Sequence, residues 1–411
     1  MTNLTDATFE RAIEVLKSNS SKWGIKASAS YYNQVWARDS FISFLGSNML
    51  EDVLLLGTCR KTIDTLAKTR SPLGQIADFY NPDEERAEFG FSGATDSSSW
   101  YIIGLLNLFH YTESRSLLGE PLDAALDAYR WLRYQDANNT WLIDSPPGAD
   151  WMDAAIRRTG KTLYNNILFL MATRAVNHLC DLSGKKVGRP LRLDEEALSR
   201  RLSEVFLPSK ENWREIEKYW PYLASRVRED PTEPQVGYYA HFVSFSKIDR
   251  RFDTLSNLLC VLAEVASVKL RGSLIQTIKS RGLATPYPVR VLDPPYQEGD
   301  DAFDVEFNKK IPPQHRSNPY DYHNGAVWPF VGGFYVVSLQ RSGDDAATSE
   351  LLNLARANSV FRPNESTGFN EWLNGKSGEP LGQIGQSWSA GTYIAAYLSS
   401  NGKDPFRFVN P

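Results

Sequence analysis

Phe89-Gly90-Phe91-Ser92-Gly93-Ala94-Thr95-Asp96-Ser97-Ser98-Ser99-Trp100-Tyr101-Ile102-Ile103 passes from a loop of small residues, through one carboxylate, into a helix. The same kind of transition recurs along the chain. Helical periodicity is read at 7–18, 40–57, 59–69, 97–111, 121–137, 161–183, 194–206, 252–267, 271–281, 325–341, 345–358 and 386–399. Alternating β-patterns are scarce and short. Most of the helices are amphipathic, as helices packed against a neighbouring layer should be. Some connections are tight; others, at 70–96, 140–160, 208–250, 284–324 and 360–386, are long and rich in Gly, Pro, Tyr, Trp and Asp. Long loops in a compact domain are usually functional. About a dozen helices with alternating short and long connections fit two concentric rings. The expected fold is therefore all-α, an (α/α)6 barrel forming a single domain over residues 1–411, with its long loops at one end. Helix count alone fits an irregular bundle equally well.

A chain of 411 residues with 42% hydrophobic content can bury a large core. The net charge of −4 comes with scattered Lys and Arg and no basic stripe, which argues against nucleic acid. Cys59, Cys180 and Cys260 sit far apart in apolar runs and read as buried hydrophobes in a reducing compartment. No apolar run approaches the roughly 20 residues that span a bilayer, so a cytoplasmic protein without membrane contact is expected. A homo-oligomer is compatible with this composition. Aromatics make up 12% of the chain, and several Trp lie beside Asp, Arg, Gly or Pro, where a core role is awkward.

Several motifs fail. Gly160-Lys161-Thr162 resembles the end of a phosphate loop, but Ala155 stands where its first Gly belongs. Gly90-Phe91-Ser92-Gly93-Ala94 misses the nucleophile elbow at its last position. The five His show no ligand spacing. No metal and no cofactor is expected.

Five motifs survive. Tyr32-Asn33-Gln34-Val35-Trp36-Ala37-Arg38-Asp39 leads into an apolar helix. Asp39 could simply cap it, but a Trp, an Arg and an Asp together suit the C–H face and vicinal hydroxyls of a sugar. The opening stretch offers Asp96 and Trp100, again with capping as the plain alternative. Asp150-Trp151-Met152-Asp153 sets two carboxylates around a Trp, and Lys161 follows. Asp321-Tyr322-His323-Asn324-Gly325-Ala326-Val327-Trp328-Pro329 is too dense in polar and stacking groups for a turn alone. Finally, Phe369-Asn370-Glu371-Trp372 and Gln386-Ser387-Trp388 put Glu371 among aromatics that can raise a carboxyl pKa into the catalytic range.

Taken in this order, from about residue 31 to 392, the motifs resemble the (α/α)6-barrel glycosidases: the glucosidase domain of glycogen debranching enzymes (amylo-α-1,6-glucosidase), neutral invertases, and mannosylglycerate or glucosylglycerate hydrolases. The resemblance implies an inverting, exo-acting hydrolase of a small carbohydrate, most simply an α-glucoside. It implies Asp96 as general acid and Glu371 as general base. Tyr32, Trp36, Arg38, Asp39, Trp100, Trp151, Asp153, Lys161, His323, Asn324, Trp328, Trp372, Gln386 and Trp388 are the implied sugar contacts. Asn374 and Asn165 stand where many relatives carry Asp and Glu. A sugar epimerase or isomerase on the same barrel would need a base on each side of a C–H bond, usually His, and only His323 lies in a suitable motif. A non-catalytic carbohydrate-binding protein would keep the aromatics without needing both Asp96 and Glu371.

Overall fold

The computed structural model describes residues 3–90, 92–186, 192–207, 212–218, 220–222, 224–225, 237–245, 247–362, 365 and 367–409. Phe91 and much of the expected long connection 208–250 lie outside these. Among the described residues there are twelve helices of nine residues or more: α1 (Leu4–Ser18), α2 (Ala37–Ser47), α3 (Val53–Lys68), α4 (Thr95–Thr112), α5 (Glu120–Arg133), α6 (Leu163–Ser183), α7 (Glu195–Phe206), α8 (Thr254–Leu262), α9 (Val268–Ser280), α10 (Pro329–Arg341), α11 (Ala347–Ala357) and α12 (Ser387–Ser399).

They alternate between two kinds. Every residue of α2 and α8 is buried, and α4, α6, α10 and α12 are buried over most of their length. The odd-numbered helices bury one stripe each, such as Leu198, Leu202, Val205 and Phe206 of α7. The even helices pack neighbour to neighbour from α2 to α12 and back to α2, which closes a ring, and the odd helices pack around it. This is the expected (α/α)6 barrel. The ring closes tightly: a Cβ on Gly46 of α2 would sit 2.0 Å from the carbonyl oxygen of Gly391 on α12, so backbone meets backbone there.

Several element boundaries differ from expectation: α5 stops at Arg133, α8 spans only Thr254–Leu262 and α10 starts at Pro329, against the expected 121–137, 252–267 and 325–341. The stretch 40–57 is not one helix. A 3-10 turn at Asn48–Leu50 and Glu51 at φ 55° interrupt it, and Asp52 restarts the chain by accepting a hydrogen bond from Leu55 N (3.1 Å) as the cap of α3. Lys161-Thr162 is a short strand, and Thr162 caps α6.

Because each inner helix follows a long connection, all six start at the same end of the barrel. Trp36 to Asp39, Thr95-Asp96, Thr162, Asp253, Trp328 and Gln386 therefore gather at one mouth. Short antiparallel ladders frame it. In the first, β1 (Val35–Trp36), β2 (Phe79–Asn81) and β3 (Arg86–Glu88) pair in that order, with Trp36 opposite Phe79. The second joins β4 (Lys161–Thr162), β5 (Phe242–Val243) and β6 (Ile248–Asp249); the third pairs β7 (Phe252–Asp253) with β8 (Leu292–Asp293). The positive ends of six helix dipoles face this mouth, a favourable setting for carboxylates. No helix among the described residues is long and apolar enough to cross a membrane.

Candidate active site

Two hollows meet at the mouth. The inner one, about 70 Å³, is walled by aromatic side chains together with Asp39, Glu371 and Gln386. The outer one, about 580 Å³, lies between the loop 90–94, the loop 147–157 and Asp304 to Phe307. Arg38 and Asp153 line both, so they stand at the junction.

The inner walls form a rigid aromatic box. Trp328 stacks on His323 (5.3 Å, 18°) and meets Trp151 and Trp388 edge-on at 5.6 and 5.7 Å. Trp328 Nε1 donates to the carbonyl of Tyr322 (2.8 Å). Trp36 lies against Phe79 (4.3 Å) and edge-on to Tyr32 (5.9 Å). Within this apolar lining, Trp151 Nε1, Trp388 Nε1, Gln386 Nε2 and His323 Nδ1 are buried without a hydrogen-bond partner among the described residues. A buried polar group left unpaired costs about 1–3 kcal/mol. A ligand that presents hydroxyls on an apolar ring satisfies both features at once. Burial, with Arg158 and Arg38 adding to it, holds His323 well below the usual histidine range, so it is neutral at pH 7.

Three carboxyls reach the inner hollow. Glu371 sits on the connection between α11 and α12, where Glu371 N donates to Gln383 O (2.7 Å) and Gln383 N to Glu371 Oε2 (2.9 Å). Gly382 permits this closure, since a Cβ there would lie 2.6 Å from Glu371 Cβ. Tyr32 Oη donates to Oε1 at 3.4 Å. Burial, with Asp39 and Asp153 adding to it, raises the Glu371 pKa to about 8. Of the two carboxylates around Trp151, Asp150 is tied down: Arg158 Nη2 (2.5 Å) and Met152 N (3.0 Å) donate to Oδ1, and Asn165 Nδ2 (2.9 Å) to Oδ2. Arg158 also pairs with Asp253 at 3.1 Å, which anchors the loop to α8. Asp153 receives no hydrogen bond from the described residues. Solvent reaches it through the outer hollow, yet the surrounding protein raises its pKa to about 7, with Asp78, Asp150 and Asp96 adding to burial and Arg38 opposing. Asp39 also rises to about 7, chiefly by burial. It does not cap α2, whose cap position is Trp36.

The structure brings Tyr32, Trp36, Arg38, Asp39, Trp151, Asp153, His323, Trp328, Glu371, Gln386 and Trp388 together around the inner hollow. It does not bring Asp96, Trp100, Lys161, Asn324 or Trp372 to its walls. Asp96 is fully buried behind Arg38, which donates through Nε to Oδ2 (2.6 Å) and through Nη2 to Oδ1 (3.2 Å). Both its oxygens are thus engaged away from any ligand. Trp100 donates to Tyr164 Oη (2.9 Å) in the core below. The Lys161 ammonium turns to Leu142 O (2.6 Å) and Asp144 Oδ2 (2.7 Å). Asn324 spends its amide on Tyr296 O and Ser317 O, fixing its own turn. Trp372 packs behind the box, edge-on to Tyr322 at 5.9 Å. Tyr322 in the inner wall and Asp78 in the outer were missed. Tyr322 stood inside a quoted motif, whereas Asp78 carried no local signal.

The (α/α)6 barrel is shared with solved structures. A mannosylglycerate hydrolase from Thermus thermophilus superposes with a TM-score of 0.65 at 16% identity, over 95% of this chain and 100% of that one. A bacterial glucoamylase complexed with acarbose reaches 0.61 at 14% identity, over 99% and 58%. The sequence profile described as Amylo-alpha-1,6-glucosidase matches residues 10–395, and the chain belongs to that family. Among curated proteins, it is 22% identical over 346 residues to probable alkaline/neutral invertase D of Arabidopsis thaliana, covering 78% of this chain and 62% of that protein. It is 22% identical over 427 residues to cytosolic invertase 1 of Oryza sativa subsp. japonica, covering 89% and 71%. The chain thus spans less than two thirds of the length of the first of these relatives.

Proposed function

We propose that the protein is an inverting, exo-acting glycoside hydrolase that releases a terminal glucose from an α-glucoside, with Asp153 as general acid and Glu371 as general base. The observation that carries this reading is the position of Asp153, at the junction of the two hollows. A terminal sugar in the aromatic box puts its glycosidic oxygen at that junction and its leaving group in the outer hollow. Asp153 gives its proton to that oxygen as the bond to the anomeric carbon breaks. Glu371, confined to the inner hollow, takes a proton from the attacking water. The bonds from Gln383 N and Tyr32 Oη favour the ionised form of Glu371 and partly offset the burial that raises its pKa, and Asp153 has no such partner among the described residues. The acid role expected for Asp96 therefore passes to Asp153.

Family membership and the invertase relatives support neutral α-glucosides as substrates. Glucose release should be screened over sucrose, isomaltose, maltose, kojibiose, trehalose, glucosylglycerate, mannosylglycerate and limit dextrin. A folded protein that releases sugar from none of them would sink the reading. Three buried free cysteines support a reducing, cytoplasmic setting.

Inverting enzymes hold their carboxyls roughly 6.5–9.5 Å apart so that water fits between base and anomeric carbon. Proton NMR of the first product from an α-glucoside is expected to show β-glucose; an initial α anomer would refute inversion. Asp39 is read as a clamp on two hydroxyls of the terminal sugar, which excludes internal cleavage. Asp39→Asn loses charge-assisted bonds worth about 1.5–3 kcal/mol, so kcat/KM is expected to fall roughly 10–150-fold. The melting temperature should hardly move, and a variant that is unstable but kinetically normal would return Asp39 to a structural role.

A further inference from the structure

Beneath the junction lies a buried chain of polar side chains. Trp100 Nε1 donates to Tyr164 Oη (2.9 Å), and Tyr164 Oη donates to Asp96 Oδ2 (3.2 Å). Asp96 takes both donors of the Arg38 fork, and Asp78 stands 3.7 Å from the same guanidinium. Arg38, Asp96 and Tyr164 join the first turns of α2, α4 and α6. A buried ion pair is often no better for stability than apolar residues of the same volume. This one is built with three hydrogen bonds on Asp96, under the carboxyl that the proposed reaction uses as its acid.

We propose that Asp96 is a positioning residue: by pairing both oxygens with Arg38 it fixes and neutralises the guanidinium at the junction, so that the neighbouring Asp153 holds its proton. This rests on the assignment of Asp153 as general acid. Arg38 and Asp153 share the walls of both hollows. The groups facing Asp153 are Arg38 from α2, Asp96 from α4, Asp78 beside β2, and Asp150 on its own loop, neutralised by Arg158. Across the inner hollow stand Asp39, Glu371, Tyr32 and Tyr322; in the outer one Arg157 is paired with Asp304. Arg38 is the cation among these that opposes protonation of Asp153, and Asp96 is its closest counter-charge. Without Asp96 the guanidinium acts on Asp153 with much more of its charge.

The test is a carboxyl titration by NMR on full-length protein labelled with [γ-¹³C]aspartate, the Asp153 signal being assigned by its loss in Asp153→Asn. A unit charge roughly 8–10 Å away at an effective dielectric near 20 shifts a carboxyl by about one pH unit. Asp96→Asn is therefore expected to lower the Asp153 midpoint by about one unit. Adding Arg38→Gln should reverse that shift, because the unneutralised cation is gone. A structural role alone predicts no such sign reversal. An unchanged midpoint in Asp96→Asn, or a further fall in the double variant, would overturn the inference. Should Asp96→Asn fail to fold, the double variant, which buries no unpaired charge, is compared with wild type directly; a midpoint close to that of wild type supports the proposal, because a neutral pair has been removed, and one raised by about one unit refutes it, because the guanidinium then acts with its full charge in the wild type too. The acid assignment fails separately, if Asp153→Asn keeps full activity on the α-glucoside found by the screen.

Discussion

Asp153→Asn is expected to lower kcat on that α-glucoside by about 10²–10⁴-fold, the usual worth of general acid assistance. Asn has nearly the shape of Asp but carries no proton that it can give to a departing alkoxide. Asp153 receives no hydrogen bond from the described residues, so nothing in the local structure is broken by the change. The melting temperature should stay at or above that of wild type at pH 8, where the native carboxyl with its pKa near 7 is largely ionised. A folded variant with near-wild-type kcat would remove Asp153 from the mechanism. Asp150→Asn makes a useful contrast. Its carboxylate anchors the loop through Arg158, Met152 N and Asn165.

Glu371→Gln is expected to lower kcat by a similar factor of about 10²–10⁴, since the attacking water loses its base. This variant carries a second signature. The folded Glu371 carboxyl titrates at about 8 against an ordinary 4.5, so the native state holds its proton more tightly than the unfolded chain does. Its contribution to stability is fully present below about pH 4.5 and is lost as the pH rises through 8. Gln does not titrate. The melting temperature of Glu371→Gln relative to wild type is therefore expected to rise between about pH 4.5 and about pH 8, the window these two pKa values bound, and to level off above it. A difference that is flat with pH, measured by scanning calorimetry, would contradict the raised pKa of this buried carboxyl.

The fold was legible because the inner helices are apolar and each follows a long loop dense in Gly, Trp and Asp. That order alone sends their N-termini to one mouth. The aromatic box was legible for a related reason: Trp36, Trp151, Trp328 and Trp388 sit beside polar residues at helix starts, where burial in the core needs a special cause. What sequence did not settle was which carboxylate stays free. Asp96, Asp150 and Asp153 all lie on or next to small-residue or aromatic loops. Their difference is set by distant partners: Arg38 comes from 58 residues before Asp96, and the Arg158 that holds Asp150 reaches on to Asp253. No local spacing reveals such pairing. Lys161 and Asn324 failed in the same way: the ammonium of Lys161 is taken up by Leu142 O and the Asp144 carboxylate, and the amide of Asn324 by the backbone of Tyr296 and Ser317. The break at 51–52 was hidden because the apolar pattern continues on both sides of it; the positive φ of Glu51 and the cap made by Asp52 leave little trace in periodicity.

The division of labour between the two carboxyls is tested most directly with α-glucosyl fluoride. Fluoride leaves without a proton, so its hydrolysis needs the base but not the acid. Asp153→Asn is expected to hydrolyse it within roughly tenfold of the wild-type rate while remaining about 10²–10⁴-fold impaired on the natural glycoside, and Glu371→Gln is expected to be impaired on both. If Asp153→Asn is equally crippled on the fluoride, or if Asp96→Asn shows the selective rescue instead, the assignment of Asp153 as general acid is wrong.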